Sequence, residues 1–119
     1  MNRQALGRLG EDLAAVYLEE RGYCILERNV RTRHGEIDLI AEKAGVRVFV
    51  EVKLRSGVGY GLPEEAVTAQ KRKHILDAIA AYWQAKAEEI EWRVDVLAIL
   101  RTPGSDEVQV EHFENALTE

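Results

Sequence analysis

Apolar positions along this chain recur at two periods, and each period marks a different kind of predicted element. A spacing of three to four residues over 3–21 predicts an amphipathic helix, with Asn2 as N-cap and Gly22 just after its end. The apolar positions of this helix are Leu6, Leu9, Leu13, Val16 and Tyr17. Glu11 lies at the edge of the stripe among small neighbours, which would let the helix approach a sheet closely.

A second helix is predicted from Thr68, as N-cap, to Lys86. Its buried side is predicted to consist of Ile75, Leu76, Ile79, Tyr82 and Trp83. The preceding residues 55–63 hold three alternate glycines without the spacing of a nucleotide-binding loop, so they predict a loop flanking a site. A short helical turn is predicted for Glu64–Val67.

Alternation with a period of two predicts five strands. These are Tyr23–Arg28, two strands within Gly35–Lys53, Ile90–Leu100 and Val108–Phe113. The short Lys43–Val46 segment predicts a hairpin, with Gly45 available for a positive φ. The last strand is expected at a sheet edge.

The element order is helix, three strands, helix, strand, strand. It predicts one mixed α/β domain over residues 1–119, with helices packed on the sheet. Short connections favour an antiparallel meander for the first three strands. The second helix permits a parallel crossover to the fourth.

Charged residues interrupt the two strands between Gly35 and Lys53. A period of two places Glu36 and Asp38 on one face, with Ile37 and Leu39 on the other. In the next strand, Val48, Val50, Val52 and Leu54 form the apolar face, and Phe49, Glu51 and Lys53 form the opposite one. Charges in central strands are costly unless they are paired or bind a metal, so this stretch predicts a functional site.

These residue types suit hydrolysis of a phosphodiester. Carboxylates of Asp38 and Glu51 can hold Mg²⁺ through oxygen ligands, and the carbonyl of Val52 can add another. Lys53 can position the attacking water and offset negative charge. Glu11 could serve a second metal or a metal-bound water. The plainer interpretation is a surface ion pair of Glu51 with Lys53 and a solvated Asp38.

Basic residues precede and follow this acidic stretch. Arg28, Arg31, Arg33 and His34 form a connection without acids, and Lys71, Arg72 and Lys73 open the second helix. Cations at a helix N-terminus oppose the helix dipole but suit the binding of a phosphate. The predicted nucleic-acid contacts are Arg31, Arg33, Arg55, Lys71, Arg72 and Lys73; a solvated charged surface is the alternative, and His34 is a loop residue rather than a metal ligand.

Charge and composition narrow the function further. The net charge of −5 argues against coating nucleic acid by bulk electrostatics, but residues 1–87 hold 14 Lys and Arg against 12 Asp and Glu, whereas 88–119 hold 2 against 9. Any nucleic acid would therefore meet a local basic surface. One cysteine, Cys24, allows no intrachain disulfide. Without a membrane-length apolar run or a signal-like start, a cytoplasmic location is expected.

Asp38, twelve intervening residues and then Glu51-Val52-Lys53 resemble the PD-(D/E)xK nuclease motif. The element order is similar to the restriction-endonuclease-like core of that superfamily. The match is closer still to the YraN family of predicted endonucleases, distantly related to archaeal Holliday junction resolvases. Ile37 stands where the motif's name has proline, which is not a ligand. The matching residues are Gly7, Gly10, Glu11, Ala14, Gly35–Ile40, Val50–Arg55, Tyr60, Gly61, Ala66, Val67, Lys71–Lys73 and Arg93–Val96.

The resemblance implies a restriction-endonuclease-like mixed sheet and a metal-dependent DNA endonuclease. By position, the resolvase-like set is Glu11, Asp38, Glu51 and Lys53, with Lys71 or Arg72 as phosphate contacts. It implies Mg²⁺, with Mn²⁺ as substitute, and branched or structured DNA as substrate, with RNA as an open alternative. A Holliday-type substrate favours a homodimer, because two symmetric cuts need two sites.

Two other functions stay open. One is a non-catalytic nucleic-acid-binding module that keeps the fold without cutting, which the small basic surface and the overall acidity favour. The other is a protein-interaction adaptor that uses the acidic C-terminal third. Arg93 and Asp95 share a strand face and are predicted to pair with each other or with site groups.

Overall fold

The structure is a computed structural model that describes residues 3–56, 69–86, 90–102, 104–105 and 107–116, with side chains other than those of 3–7, 55 and 56. Its elements are α1 (Arg3–Glu20), β1 (Cys24–Thr32), β2 (Gly35–Lys43), β3 (Val46–Ser56), α2 (Ala69–Lys86), β4 (Trp92–Arg101) and β5 (Val108–Phe113). The predicted caps Asn2 and Thr68, the turn Glu64–Val67 and loop residues 57–63 lie outside the described residues. The predicted mixed α/β fold, with two helices and five strands, is confirmed.

The five strands form one mixed sheet in the order β1-β2-β3-β4-β5. β1, β2 and β3 are successively antiparallel, β3 and β4 are parallel, and β4 and β5 are antiparallel. The predicted meander, the crossover and the edge position of β5 are therefore confirmed. β4 begins at Trp92 rather than at the predicted Ile90.

Two apolar cores cover the two faces of the sheet, one under each helix. The α1 side contains Ala14, Leu18, Tyr23, Leu39, Ala41, Val48, Val50, Leu97 and Ile99. The α2 side contains Ile37, Ile40, Phe49, Ala78, Ile79, Tyr82, Trp83 and Val94. Burying a large apolar side chain stabilises a fold by about 1.5–3 kcal/mol, so these two layers supply most of the driving force.

α1 packs on the sheet through only part of its predicted stripe, in which Leu13 and Tyr17 contact the core. Ala14 and Leu18 are fully buried, whereas the predicted core residues Leu9 and Val16 are 38% and 52% exposed. At Gly10 an added Cβ would lie 3.6 Å from the Cβ of Leu54. The absence of a side chain at Gly10 therefore lets the helix pack closely on β3.

α1 ends as predicted at Gly22, whose φ is 88°. The amide of Tyr23 donates to the carbonyl of Leu18 at 3.0 Å, and the amide of Gly22 donates to that of Glu19 at 3.1 Å. This pair of bonds is the Schellman arrangement that closes helix C-termini.

The β2–β3 hairpin turns at Ala44 and Gly45, whose φ angles are 52° and 79°. Positive φ at both central residues matches the twist of antiparallel strands, so the hairpin prediction is confirmed. A positive φ at Ala44 was not predicted.

β1 and β2 contradict the sequence prediction in two ways. β1 continues to Thr32, so most of the predicted basic connection is strand. Ile37 and Leu39 were predicted on one face, but Ile37 packs on the α2 side and Leu39 on the α1 side. The change of face coincides with an irregular residue in the neighbouring strand β1. Arg28 pairs with Leu39 and Val30 pairs with Ile37, so Asn29 lies opposite Asp38. The φ angle of Asn29 is 53°. This left-handed residue breaks the alternation.

Both helices begin near the same end of the sheet, one on each face. Gly10 of α1 packs on Val52 and Leu54, and Ile75 of α2 lies beside Glu51. Farther along α2, Tyr82 reaches Arg47 near the opposite end of β3. Among the described residues, neither helix is long and apolar enough to span a bilayer.

Candidate metal centre

The site forms where β2 separates from β3. Their pairing runs from Lys43 with Val46 to Leu39 with Val50 and ends there. Beyond that point the amide of Val52 donates to Oδ2 of Asp38 at 2.8 Å, in place of a backbone carbonyl. The Asp38 carboxylate is therefore held between the two strands and is half-buried.

Three carboxylates meet on the α1 side of this fork. Oxygens of Glu11, Glu36 and Asp38 all lie within 4.8 Å of one another. Glu11 is half-buried, and the close packing of α1 at Gly10 brings it to the sheet. Two ionised carboxylates at this separation repel by about 3 kcal/mol at an effective dielectric constant of about 20, so such a cluster favours a bound cation or proton.

Glu51 and Lys53 form the other half of the site. Nζ of Lys53 lies 3.1 Å from Oε1 of Glu51, and the two side chains are 13% and 20% exposed. Glu51 and Glu36 line one cleft together with Phe49 and Ile75. The predicted placement of Phe49, Glu51 and Lys53 on one face agrees with these contacts.

The Asp38 carboxyl carries the clearest electrostatic signature of the site. Burial raises its pKa, and the negative charges of Glu51, Glu11 and Glu36 raise it further, to about 7. The hydrogen bond from the Val52 amide acts in the opposite direction. A carboxyl group shifted this far by its neighbours is typical of functional sites.

The donor set suits a hard divalent cation. Within the described part of the chain the converging ligands are all oxygens, which Mg²⁺ and Mn²⁺ prefer over nitrogen or sulfur. A cation would also relieve the repulsion that raises the pKa of Asp38. The residues present therefore fit a metal of this class.

Glu36 is the member of the cluster to which the residue pattern assigned no role. Its signal was present, because a strand places residues 36 and 38 on one face. The residue count alone could not show that α1 would bring Glu11 within reach of both.

The predicted basic contacts divide into two groups. At the hairpin between β1 and β2, Arg31 is 86% exposed and lies 3.6 Å from Glu36, and Arg33 donates to the ring of His34 at 3.2 Å. Arg28, which was predicted to belong to the same basic connection, instead forms an ion pair with Asp12 of α1. The side chain of Arg55 lies outside the described residues.

The start of α2 lies close to this hairpin. Lys71 and Lys73 are exposed and Arg72 is half-buried. Lys73 bonds to Asp77 at 2.7 Å and lowers the pKa of that carboxyl, and the charge of His34 acts in the same direction. The hairpin tip at His34 is thus near enough to Asp77 in the first turns of α2 to act on its charge.

A second buried aspartate lies in β4, away from these carboxylates. Asp95 is fully buried and accepts hydrogen bonds from Arg93 at 3.0 Å, His112 at 2.7 Å and the amide of Asn115 at 2.9 Å. Arg93 also donates to the hydroxyl of Tyr23 at 2.8 Å. Burial alone would raise the pKa of Asp95, but the bonds from His112, Arg93 and Asn115 together lower it. The predicted Arg93–Asp95 pair is confirmed, whereas the other partners were not foreseen.

The protein has a five-stranded mixed sheet between two helices, and acidic residues lie where two central strands separate. These features place it among α/β proteins of the restriction-endonuclease-like class. The chain belongs to the family described as Uncharacterised protein family UPF0102, which matches residues 10–99. This is the YraN family that the residue pattern resembles, so that prediction is confirmed.

Relatives from distant bacteria resemble the chain over nearly its whole length. A UPF0102 protein of Syntrophotalea carbinolica is 45% identical over 96% of this chain and 92% of its own. One from Rhodococcus opacus is 48% identical over 94% and 95%. One from Dictyoglomus turgidum is 37% identical over 98% and 99%.

Proposed function

We propose that this protein is a metal-dependent nuclease that hydrolyses phosphodiester bonds in DNA. One observation carries the proposal: carboxylates from α1, β2 and β3 surround the half-buried Asp38, and Lys53 lies beside them on Glu51. A purely structural role would favour pairing Asp38 with a base. Asp38 instead accepts a single amide bond, and burial together with the charges of the neighbouring acids raises its pKa.

The residues that would hold the metal are Asp38, Glu51 and Glu11, together with the carbonyl of Val52. Mg²⁺, or Mn²⁺ in its place, would neutralise phosphate charge and lower the pKa of the attacking water. Oxygen ligands from three elements leave part of the coordination shell for water and phosphate oxygens.

The chain's own groups would prepare the reaction in two ways. The Val52 amide fixes the orientation of the Asp38 carboxylate, so little reorganisation is needed when substrate arrives. Nζ of Lys53, held at Glu51, can donate to a phosphate oxygen and stabilise the charge that develops there.

The substrate surface would be the hairpin tip and the start of α2. The proposed phosphate contacts are Arg31, Arg33, Arg55, Lys71, Arg72 and Lys73. Because the chain as a whole is acidic, contact should be limited to this side. Such contacts position a backbone without reading base edges, so they favour recognition of DNA shape, branched forms included, over recognition of sequence.

The test combines metal titration with cleavage. We expect calorimetry to show Mn²⁺ or Mg²⁺ binding to the wild-type chain, with or without a short duplex, and its loss in Glu51→Ala. We expect Mg²⁺-dependent cutting of at least one substrate among duplex, flapped and four-way DNA. Asp38→Ala and Glu51→Ala should lower that rate by at least about 100-fold. Glu111→Gln is the control, because it removes an exposed strand carboxylate on β5.

Three outcomes separate the candidate functions. Cleavage that persists in both alanine variants would overturn the proposal. Binding to DNA without cutting in either metal would select the non-catalytic nucleic-acid-binding module. If the chain binds neither metal nor DNA, the protein-interaction adaptor becomes the favoured function.

A further inference from the structure

Glu36 is a strand residue with two different sets of neighbours. Its carboxylate lies within 4.8 Å of oxygens of Glu11 and Asp38, and its side chain lines the same cleft as Glu51. It is therefore the one described residue that borders both the carboxylate cluster and the cleft beside Lys53. Neither the motif resemblance nor the family description assigns it a role.

The path of β2 explains this position. The pairing of β2 with β3 begins only at Leu39, so residues 35–38 of β2 form no ladder pairs with β3. Across β1, Glu36 still pairs with Arg31, which fixes its backbone. The strand is thus anchored on one side only, and its acid faces the opening between the two halves of the site.

A simple ion pair with Arg31 does not account for Glu36. The two side chains approach only to 3.6 Å, and that of Arg31 is 86% exposed. Exposed pairs of this kind contribute little to stability. The pair also leaves Glu36 beside two other acids, an arrangement that an ion-pair role would not require.

We infer that Glu36 is a further ligand of the divalent cation, acting together with Glu11 and Asp38. The inference rests on the proposed metal centre and adds a second carboxylate from β2 to its ligand set. Two ligands of one ion at about 2.0–2.6 Å lie no more than about 4.0–5.2 Å apart, so three oxygens within 4.8 Å of one another need only small side-chain movements to share a divalent cation.

The test is a calorimetric titration of Mn²⁺ into the full chain without DNA, so that the readout does not depend on cleavage. We expect Glu36→Gln to weaken binding by at least about tenfold, as loss of one oxygen ligand should. Glu111→Gln should bind as the wild type does. Arg31→Gln should bind equally or more tightly, because it removes a competitor for Glu36. Thermal unfolding without metal checks that Glu36→Gln is folded.

The outcomes distinguish this inference from the proposed function. Wild-type affinity in Glu36→Gln, with loss of binding in Glu51→Ala, would overturn the role of Glu36 and leave the metal centre intact. No metal binding by the wild-type chain would overturn both. Weakening in Arg31→Gln equal to that in Glu36→Gln would show that the cross-strand pair, not ligation, matters.

Discussion

Asp38 is a half-buried strand aspartate and Asp95 a fully buried one, and they illustrate opposite solutions to the same electrostatic problem. Asp95 accepts bonds from a guanidinium, an imidazole and a backbone amide, and its pKa is lowered. Asp38 accepts one amide bond and lies among other acids, and its pKa is raised to about 7. A buried carboxylate costs stability unless partners compensate it, so Asp95 is compensated within the chain and Asp38 is not.

The contrast identifies which aspartate is available for chemistry. A fully satisfied carboxylate has no free capacity for a ligand, and removing it leaves its partners unpaired. An incompletely satisfied one gains by binding a proton or a cation. The predictions below test this distinction through stability, where the two residues should respond in opposite directions.

The largest effect is expected from Asp95→Ala. Removing one member of a buried charge pair leaves Arg93 and His112 without their acceptor, and we expect a loss of about 3–5 kcal/mol in the free energy of unfolding. Urea denaturation at pH 7 measures it. A loss below about 1 kcal/mol would contradict the account of Asp95 as a satisfied structural charge.

The free energy of unfolding at low pH provides a control for the role of Asp95. Because its pKa is lowered, the stability it contributes is present above its unfolded pKa, near 3.8, and is lost as the pH falls through the lower folded value. The difference between wild type and Asp95→Ala should therefore shrink in strong acid. Asp77→Ala removes only an exposed Lys73 pair and should change the stability little at any pH.

A smaller effect of opposite sign is expected from Asp38→Asn. The folded pKa of about 7 exceeds the unfolded 3.8, so the contribution of Asp38 is full below pH 3.8 and is lost as the pH rises through 7. Asparagine keeps an oxygen for the Val52 amide and carries no charge. We expect the metal-free variant to be about 1–3 kcal/mol more stable than the wild type at pH 8.

This second prediction is checked by urea denaturation in a chelator at pH 5 and pH 8. The gap between the two proteins should widen toward pH 8. An equal gap at both values would mean that ionisation of Asp38 is not its cause. Saturating Mn²⁺ should reverse the order, because only the wild type keeps the full ligand.

The smallest effect is expected from His112→Phe. The ring packs edge-on against Tyr17, with centroids 5.6 Å apart, and phenylalanine can keep that contact. It loses the bond to Asp95, so we expect a cost of about 1–2 kcal/mol, well below that of Asp95→Ala. Thermal unfolding measures it, and a cost as large as that of Asp95→Ala would mean that His112, not Arg93, is the main partner.

The sequence predicted most of the fold because local patterns determine most of it. The period of two placed Glu51 beside Lys53, and Gly22 and Gly45 marked a helix end and a turn. Two failures have physical causes. Asn29, whose φ is positive, lies opposite the point where Ile37 and Leu39 part to opposite faces, and close packing at Gly10 accompanies the exposure of Leu9 and Val16.

The two aspartates also differ in how far their surroundings could be foreseen. The partners of Asp38 within the meander follow from strand periodicity, but Glu11 and Glu36 converge only through packing of α1. For Asp95, only Arg93 is local. His112 and the backbone of Asn115 depend on the register of β5, which no local pattern specifies.

The fork between β2 and β3 also bears on the order in which the chain assembles. Val52 and Asp38 are 14 residues apart and meet when one hairpin closes, whereas Tyr23 and Arg93 are 70 apart and need the finished sheet. Hairpins form within microseconds, and long-range pairing is slower. Asp38 and Glu51 are thus brought together early, before α1 adds Glu11, and Asp95 gains its partners only once β4 and β5 have joined the sheet.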